Sequence, residues 1–147
     1  MAERVPVLID IAAEEADDDG EPMHVRVPGT AEKRAEGTVL RYAEHLTEED
    51  GDPAARTEVT LLVRPGYAVM QRRGAYGAMM VFEPGQSRDS CYRTPYGDLP
   101  MSVCARTVET VSAESGGSLR LDYDLTVQGG PASRRVFALT WRVCGPC

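Results

Sequence analysis

The C-terminal stretch Cys144-Gly-Pro-Cys147 has the spacing with the most evident capacity for chemistry, because it is the Cys-x-x-Cys motif of disulfide oxidoreductases. In those enzymes the motif lies between a strand and the N-terminus of a helix, whose partial positive charge lowers the pKa of the attacking thiol. Here no helix is predicted after the motif and no βαβ pattern precedes it. We therefore expect a C-terminal tail rather than a redox centre.

Metal binding and acid–base catalysis are not expected from the remaining candidates. A structural zinc site favours two closely spaced pairs of ligands, whereas Cys91 and Cys104 lie thirteen residues apart on different predicted strands. His24 and His45 fall in strand-like segments without an evident partner that would make either a general base. The sequence therefore predicts no catalytic residues, no metal, no cofactor and no enzymatic activity.

The middle of the chain combines arginine with tyrosine in a way that favours anion binding. An arginine beside tyrosine hydroxyls in an apolar cup can hold a carboxylate or phosphate group. The candidate ligand-binding residues are Arg73, Tyr92, Tyr96 and Arg106. The alternative is that these arginines lie on the wet outer face of the strands and that side chains fill the interior.

Charge is unevenly distributed in this chain, whose net charge is −7. Residues 1–55 hold 5 Lys/Arg against 15 Asp/Glu, whereas residues 56–106 hold 7 against 4. Nucleic-acid binding is not expected, because it requires an excess of Lys and Arg to neutralise phosphates. No segment approaches the roughly 20 apolar residues of a membrane helix, and the N-terminal apolar run is too short for a signal peptide. We expect a cytoplasmic protein with free thiols and no membrane contact.

The elements that must position these residues follow the period of Leu119–Val127, where every odd position is apolar and every even position is polar. A strand points successive side chains to opposite faces, so this alternation predicts a strand with one buried face. The same period recurs along the chain with short turns between the segments. The predicted strands are Val5–Ile11, Met23–Val27, Thr38–Leu46, Arg56–Arg64, Tyr67–Arg73, Tyr76–Phe82, Arg88–Arg93, Leu99–Val111, Leu119–Val127 and Arg135–Val143.

Two features interrupt the pattern of strands. Pro28-Gly29 predicts a bulge or a bend of the kind found at a barrel corner. Thr30–Glu36 has helical propensity but no apolar stripe, so it is either strand or a single helical turn. Strands joined in order by short turns form an antiparallel meander, and closure removes the exposed edges. We therefore predict an all-β barrel of about 8–10 strands, with residues 1–147 in a single domain.

Several ordered motifs resemble those of the YwiB-like bacterial proteins. They are Gly37–Glu44, Met70–Gly74, Tyr92–Met101 and Gly117–Leu125. The resemblance implies a lipocalin-like (calycin) β-barrel, and it implies no catalytic residues because that family has no assigned function. Our first hypothesis is a non-catalytic binding module for a small amphipathic or anionic ligand. The alternative is a protein-interaction scaffold with a fully packed barrel, and the sequence leaves the oligomeric state open.

Overall fold

The computed structural model describes residues 4–15, 23–45, 56–74 and 77–144. Within these residues the chain forms ten β-strands and no helix, so no helix there is long and apolar enough to cross a membrane. The strands are β1 (Arg4–Glu15), β2 (Met23–Arg34), β3 (Gly37–His45), β4 (Arg56–Arg64), β5 (Tyr67–Arg73), β6 (Gly77–Phe82), β7 (Ser87–Thr94), β8 (Gly97–Ala113), β9 (Gly116–Val127) and β10 (Ser133–Val143).

The strands form one closed barrel in which each strand pairs with the next along the chain. All the pairs are antiparallel, and β1 pairs with β10 to close the ring. This arrangement confirms the predicted all-β antiparallel meander, and ten strands fall within the predicted range. The predicted strand residues Leu46 and Tyr76 lie outside the described residues.

Alternation along each strand separates the barrel interior from the outer surface. On β9, Leu119 and Leu121 are buried while Arg120 between them is exposed, as the period of that segment predicts. The same alternation on the other strands directs one apolar side chain in two toward a common core. The largest fully buried side chains of that core include Phe82, Ile9, Ile11, Leu40, Leu61, Met70, Leu119, Leu121 and Leu139.

The segment around Pro28-Gly29 is a continuous part of β2 rather than an interruption. The β1–β2 register runs without a shift from Leu8 opposite Pro28 to Val7 opposite Gly29, which excludes a bulge against β1. The ladder to β3 begins only at Gly29, next to a proline that has no N–H to donate. A Cβ on Gly29 would lie 2.5 Å from the Arg41 carbonyl oxygen, so glycine permits the close approach of β3.

The sequence left Thr30–Glu36 as either strand or a single helical turn, and the remainder of β2 decides between them. Residues through Arg34 are strand, paired with β3 down to Arg34 opposite Gly37, and a two-residue turn follows at Ala35-Glu36. The segment therefore adopts the strand alternative rather than the helical turn. Pairing with strands on both sides supplies the tertiary support that an isolated helical turn would lack.

One end of the barrel is the end where β2–β3, β4–β5, β6–β7 and β8–β9 are joined. Trp141 is buried there, and its indole ring occupies the space where Gly117, its partner on β9, has no side chain. A Cβ on Gly117 would collide with that ring and with the Val111 carbonyl oxygen. Trp141 and Gly117 therefore pack closely against each other in the interior at this end.

Candidate functional site

A cavity of about 400 Å³ occupies the interior at the barrel end where β5, β7 and β9 finish and β4, β6, β8 and β10 begin. Its volume falls within the range of about 300–1,000 Å³ that small-molecule sites usually have. The described lining residues are Thr57, Arg72, Ala78, Met80, Tyr92, Leu99, Met101, Tyr123, Leu125, Val127 and Arg135.

Two arginines line this cavity because they fall on the inward phase of their strands. Arg72 follows Ala68 and Met70 at two-residue spacing on β5, and both of those side chains are buried. Arg135 precedes Phe137 on β10 in the same way. Strands β5 and β10 are five positions apart in a ring of ten, so the two arginines enter the cavity from opposite walls.

Tyr123 is the register partner of Arg135 on the neighbouring strand β9, at the inner end of the cavity. It is 8% exposed, and its ring meets the Phe82 ring in an edge-to-face contact with centroids 4.9 Å apart. Burial raises the pKa of the Tyr123 phenol, while the positive charges of Arg135 and Arg72 oppose that rise. The hydroxyl of Tyr123 therefore lies within the electrostatic field of both guanidinium groups.

The lining divides into a polar part and an apolar part. Arg72, Arg135, Thr57 and the two tyrosines provide hydrogen-bond donors, whereas the β8 and β9 wall is apolar. Each guanidinium carries five N–H donors, so it can hold a protein neighbour and a ligand carboxylate at the same time. The apolar wall consists of Leu99, Met101, Leu125 and Val127. This arrangement can bind an anionic head group beside an apolar body.

The raised pKa of Tyr123 predicts a specific response to alkaline pH. A phenol whose pKa is raised on folding stabilises the fold below its unfolded pKa of about 10, and that contribution is lost as the pH rises through the folded value. We expect one late-ionising phenol to be lost from the ultraviolet titration of Tyr123→Phe. That variant should also lose less stability than the parent protein above pH 10.

The exposed Tyr96 provides the control for this titration. Tyr96→Phe should keep that late-ionising phenol, because Tyr96 is 93% exposed and does not line the cavity. A Tyr123→Phe protein with as many late-ionising phenols as the parent protein would contradict the assignment to Tyr123.

The structure brings one of the four sequence-predicted ligand residues to the cavity. Tyr92 lines it, on the inward phase of β7. Tyr96 is in the β7–β8 turn, where its N–H donates to Thr94 Oγ1 at 3.1 Å. Arg73 is exposed on the outer face at the end of β5. Arg106 lies at a bulge of β8 and donates from Nε and Nη2 to the Asp124 carboxylate at 3.1 and 3.3 Å, outside the barrel.

The sequence-based choice did not include the lining residues Arg72, Arg135 and Tyr123. The strand period contains the signal that identifies them. Tyr123 was already assigned to the apolar face of its strand, and Arg72 and Arg135 share the phase of buried neighbours two positions away. Arg73 and Arg106 have the opposite phase and therefore lie outside.

Among the described residues, the cysteines are not part of a group that could bind a metal ion. Cys91, Cys104 and Cys144 are free thiols, as predicted, and no group of three or more His, Cys, Asp or Glu side chains is placed to hold a metal among the residues in view. Cys144 is exposed and its N–H donates to the Pro6 carbonyl at 3.0 Å. Cys147 lies outside the described residues, so the Cys-x-x-Cys hypothesis stays a prediction.

Comparison with known families and structures identifies related proteins. Residues 9–139 match the family described as "Domain of unknown function (DUF1934)". The crystal structure of the ywiB protein from Bacillus subtilis superposes with a TM-score of 0.74 and 18% sequence identity. That superposition covers 98% of this chain and 94% of the ywiB chain, and at this identity it supports the fold alone.

Curated relatives come from a much larger protein. The DNA-directed RNA polymerase subunit beta' of Bacillus pumilus is 32% identical over 101 residues, which cover 66% of this chain and 8% of that subunit. The corresponding subunit of Geobacillus kaustophilus is 35% identical over 112 residues, covering 72% of this chain and 9% of that subunit. The chain thus spans less than a tenth of the length of these relatives.

Proposed function

The chain belongs to the domain-of-unknown-function family DUF1934, which confirms the resemblance to the YwiB-like proteins, and we propose that it is a binding module for a small anionic, amphipathic molecule. The observation that carries this proposal is the entry of Arg72 and Arg135 into one cavity from opposite walls. A carboxylate or phosphate head group would bridge the two guanidiniums, as arginine does in bidentate recognition.

The apolar body of the ligand would lie against the β8 and β9 wall. Leu125 and Val127 on β9 face Met101 across the same strand pair, and these side chains line the cavity without hydrogen-bonding groups. Apolar burial at about 25 cal/mol per Å² then adds to the affinity that the charged head group provides. We propose that the barrel holds one ligand in its interior, as lipocalins do.

We propose binding without catalysis. Among the described lining residues there is no carboxylate, imidazole or thiol to act as a general base or nucleophile. The raised pKa of the Tyr123 phenol keeps it protonated at neutral pH, so it does not supply a phenolate base there. The proposed setting is the cytoplasm, in keeping with free thiols at Cys91, Cys104 and Cys144.

Calorimetric titration with octanoate and 1-octanol tests the proposal. The two probes share an apolar chain and differ in the charged head group, so we expect saturable binding of octanoate and at least tenfold weaker binding of octanol. Leu125→Trp provides the matched protein control, because the larger side chain would occupy the cavity that Leu125 lines. Equal affinities for both probes, or unchanged octanoate binding by Leu125→Trp, would contradict this site.

A second candidate function, a protein-interaction module, is favoured by the similarity to part of a polymerase subunit. The matched stretch belongs to a protein whose name marks it as one subunit of an assembly. Sedimentation of the purified chain with bacterial RNA polymerase tests this candidate, and co-migration at micromolar concentration would support it. Independent sedimentation together with octanoate binding would leave the ligand-binding function as the better supported of the two.

A further inference from the structure

The outer surface near the end of β5 carries two arginines on either side of a glycine. Register places Glu58 beside Arg73 across β4 and β5, and Arg93 beside both Gly77 of β6 and Asp98 of β8. The β5–β6 ladder ends at Arg72 opposite Ala78, so Arg73 and Gly77 occupy the next position. The row on the outer face therefore crosses five neighbouring strands. From β4 to β8 it consists of Glu58, Arg73, Gly77, Arg93 and Asp98.

An open groove of about 520 Å³ lies over this glycine, and we call it the Gly77 groove. The β6–β7 ladder has only two residue pairs and stops at Ala78 opposite Tyr92. Beyond that point the Ser90 hydroxyl donates to the Met79 carbonyl oxygen in place of a backbone partner. The groove is lined by Gln71, Arg72, Arg73, Gly74, Gly77, Ala78, Met79, Ser90, Cys91 and Arg93.

Gly77 places no side chain between the two arginines; the residue is buried, and a Cβ built on it would lie 3.2 Å from the Arg72 carbonyl oxygen and 3.8 Å from the Arg93 Cβ. Neighbouring strands are about 4.8 Å apart, so residues two strands apart are separated by about 10 Å. Two arginine side chains that lean over a glycine across this distance can contact the same anion. Any larger residue at Gly77 would occupy the space between the two guanidinium groups.

Arg73 and Arg93 differ from most outer arginines in their ion pairing. Arg106 pairs with Asp124 at 3.1 Å and Arg134 pairs with Asp122 at 2.7 Å, each with a carboxylate on the adjacent strand β9. Within the described residues, neither Arg73 nor Arg93 has a carboxylate oxygen within 4.0 Å. Their register neighbours Glu58 and Asp98 are absent from the groove lining, whereas both arginines belong to it.

We propose that the Gly77 groove is a second ligand site, which binds the phosphate group of a small molecule between Arg73 and Arg93. Paired guanidiniums match the tetrahedral oxyanion, because each offers two parallel N–H donors. Glu58 and Asp98 border the arginine pair on both sides, so they would repel a long polyanion such as nucleic acid. Arg72 and Ala78 line both this groove and the barrel cavity, whereas Arg73 and Arg93 line the groove alone, on the outer face of the barrel.

NMR of the arginine Nε–H groups with inorganic phosphate as the probe tests this site. At constant ionic strength maintained with chloride, we expect saturable shifts of the Arg73 and Arg93 signals. Arg73→Gln or Arg93→Gln should weaken phosphate binding by about tenfold, because each removes a charged hydrogen-bonding group. The double variant should bind no phosphate detectably.

Two control variants make the result specific to the Gly77 groove. Arg120→Gln removes an exposed arginine from the outer face of β9 and should leave phosphate affinity unchanged. Leu125→Trp alters the barrel cavity and should also leave it unchanged, which separates this site from the proposed function. Unsaturable shifts shared by all the exposed arginines, or wild-type affinity in the double variant, would overturn the proposal.

Discussion

Phe82→Ala should lower the free energy of unfolding by about 3–5 kcal/mol, which is the usual cost of truncating a fully buried phenylalanine. Phe82 is 0% exposed on β6, and its ring packs edge-to-face against Tyr123 of β9. The substitution would remove both apolar burial and the contact that supports the inner end of the ligand cavity. Urea denaturation followed by circular dichroism measures the change.

Met79→Ala is the matched control for this loss. Met79 lies three positions earlier on the same strand, but it points outward and is 51% exposed. Its truncation should change the free energy of unfolding by no more than about 0.5 kcal/mol. A loss below about 1 kcal/mol in Phe82→Ala, or equal losses in the two variants, would contradict a close-packed interior at Phe82.

Arg72→Gln combined with Arg135→Gln should reduce octanoate affinity by at least about 100-fold. Each substitution removes a charged hydrogen-bonding group worth about 1.5–3 kcal/mol, so the pair exceeds the 2.8 kcal/mol that corresponds to 100-fold. The neutral probe 1-octanol should lose much less, because its contacts lie on the apolar wall. Calorimetric titration of both probes against the double variant measures the difference.

The sequence-predicted arginines provide the control for this experiment. Arg73→Gln combined with Arg106→Gln removes the same charge from the outer face and should leave octanoate affinity within about twofold of the wild type. Denaturation curves for both double variants would show that each remains folded. If the outer pair reduced octanoate binding and the inner pair did not, the ligand would bind where the sequence first suggested.

The fold was predictable because the side-chain period of a strand is two, and this chain keeps that period through most of its segments. The alternation from Leu119 to Val127 matches the observed burial of β9 from Leu119 to Tyr123, and the short turns predict the meander. The period was less informative at Thr30–Glu36, where local propensity favoured helix. There, pairing with β1 and β3 imposes the strand conformation.

The site was harder to predict because a ligand cavity depends on which strands face one another across the barrel. Sequence phase places Arg72 and Arg135 inside, but only closure of β1 on β10 sets them on opposite walls. Composition directed attention to clustered arginines and tyrosines, and it selected Arg106, whose charge is satisfied by Asp124. Phase within the strand is therefore a better guide than local density of charge.

Native mass spectrometry of the freshly purified protein is the most direct measurement of whether the barrel holds a small anionic molecule. We predict an added mass that is lost on denaturation, and we predict that Leu125→Trp carries no such mass because its indole fills the cavity. Octanoate added to the emptied wild-type protein should restore a one-to-one complex. A wild-type protein that stays bare after purification and after exposure to octanoate would contradict the proposed binding function.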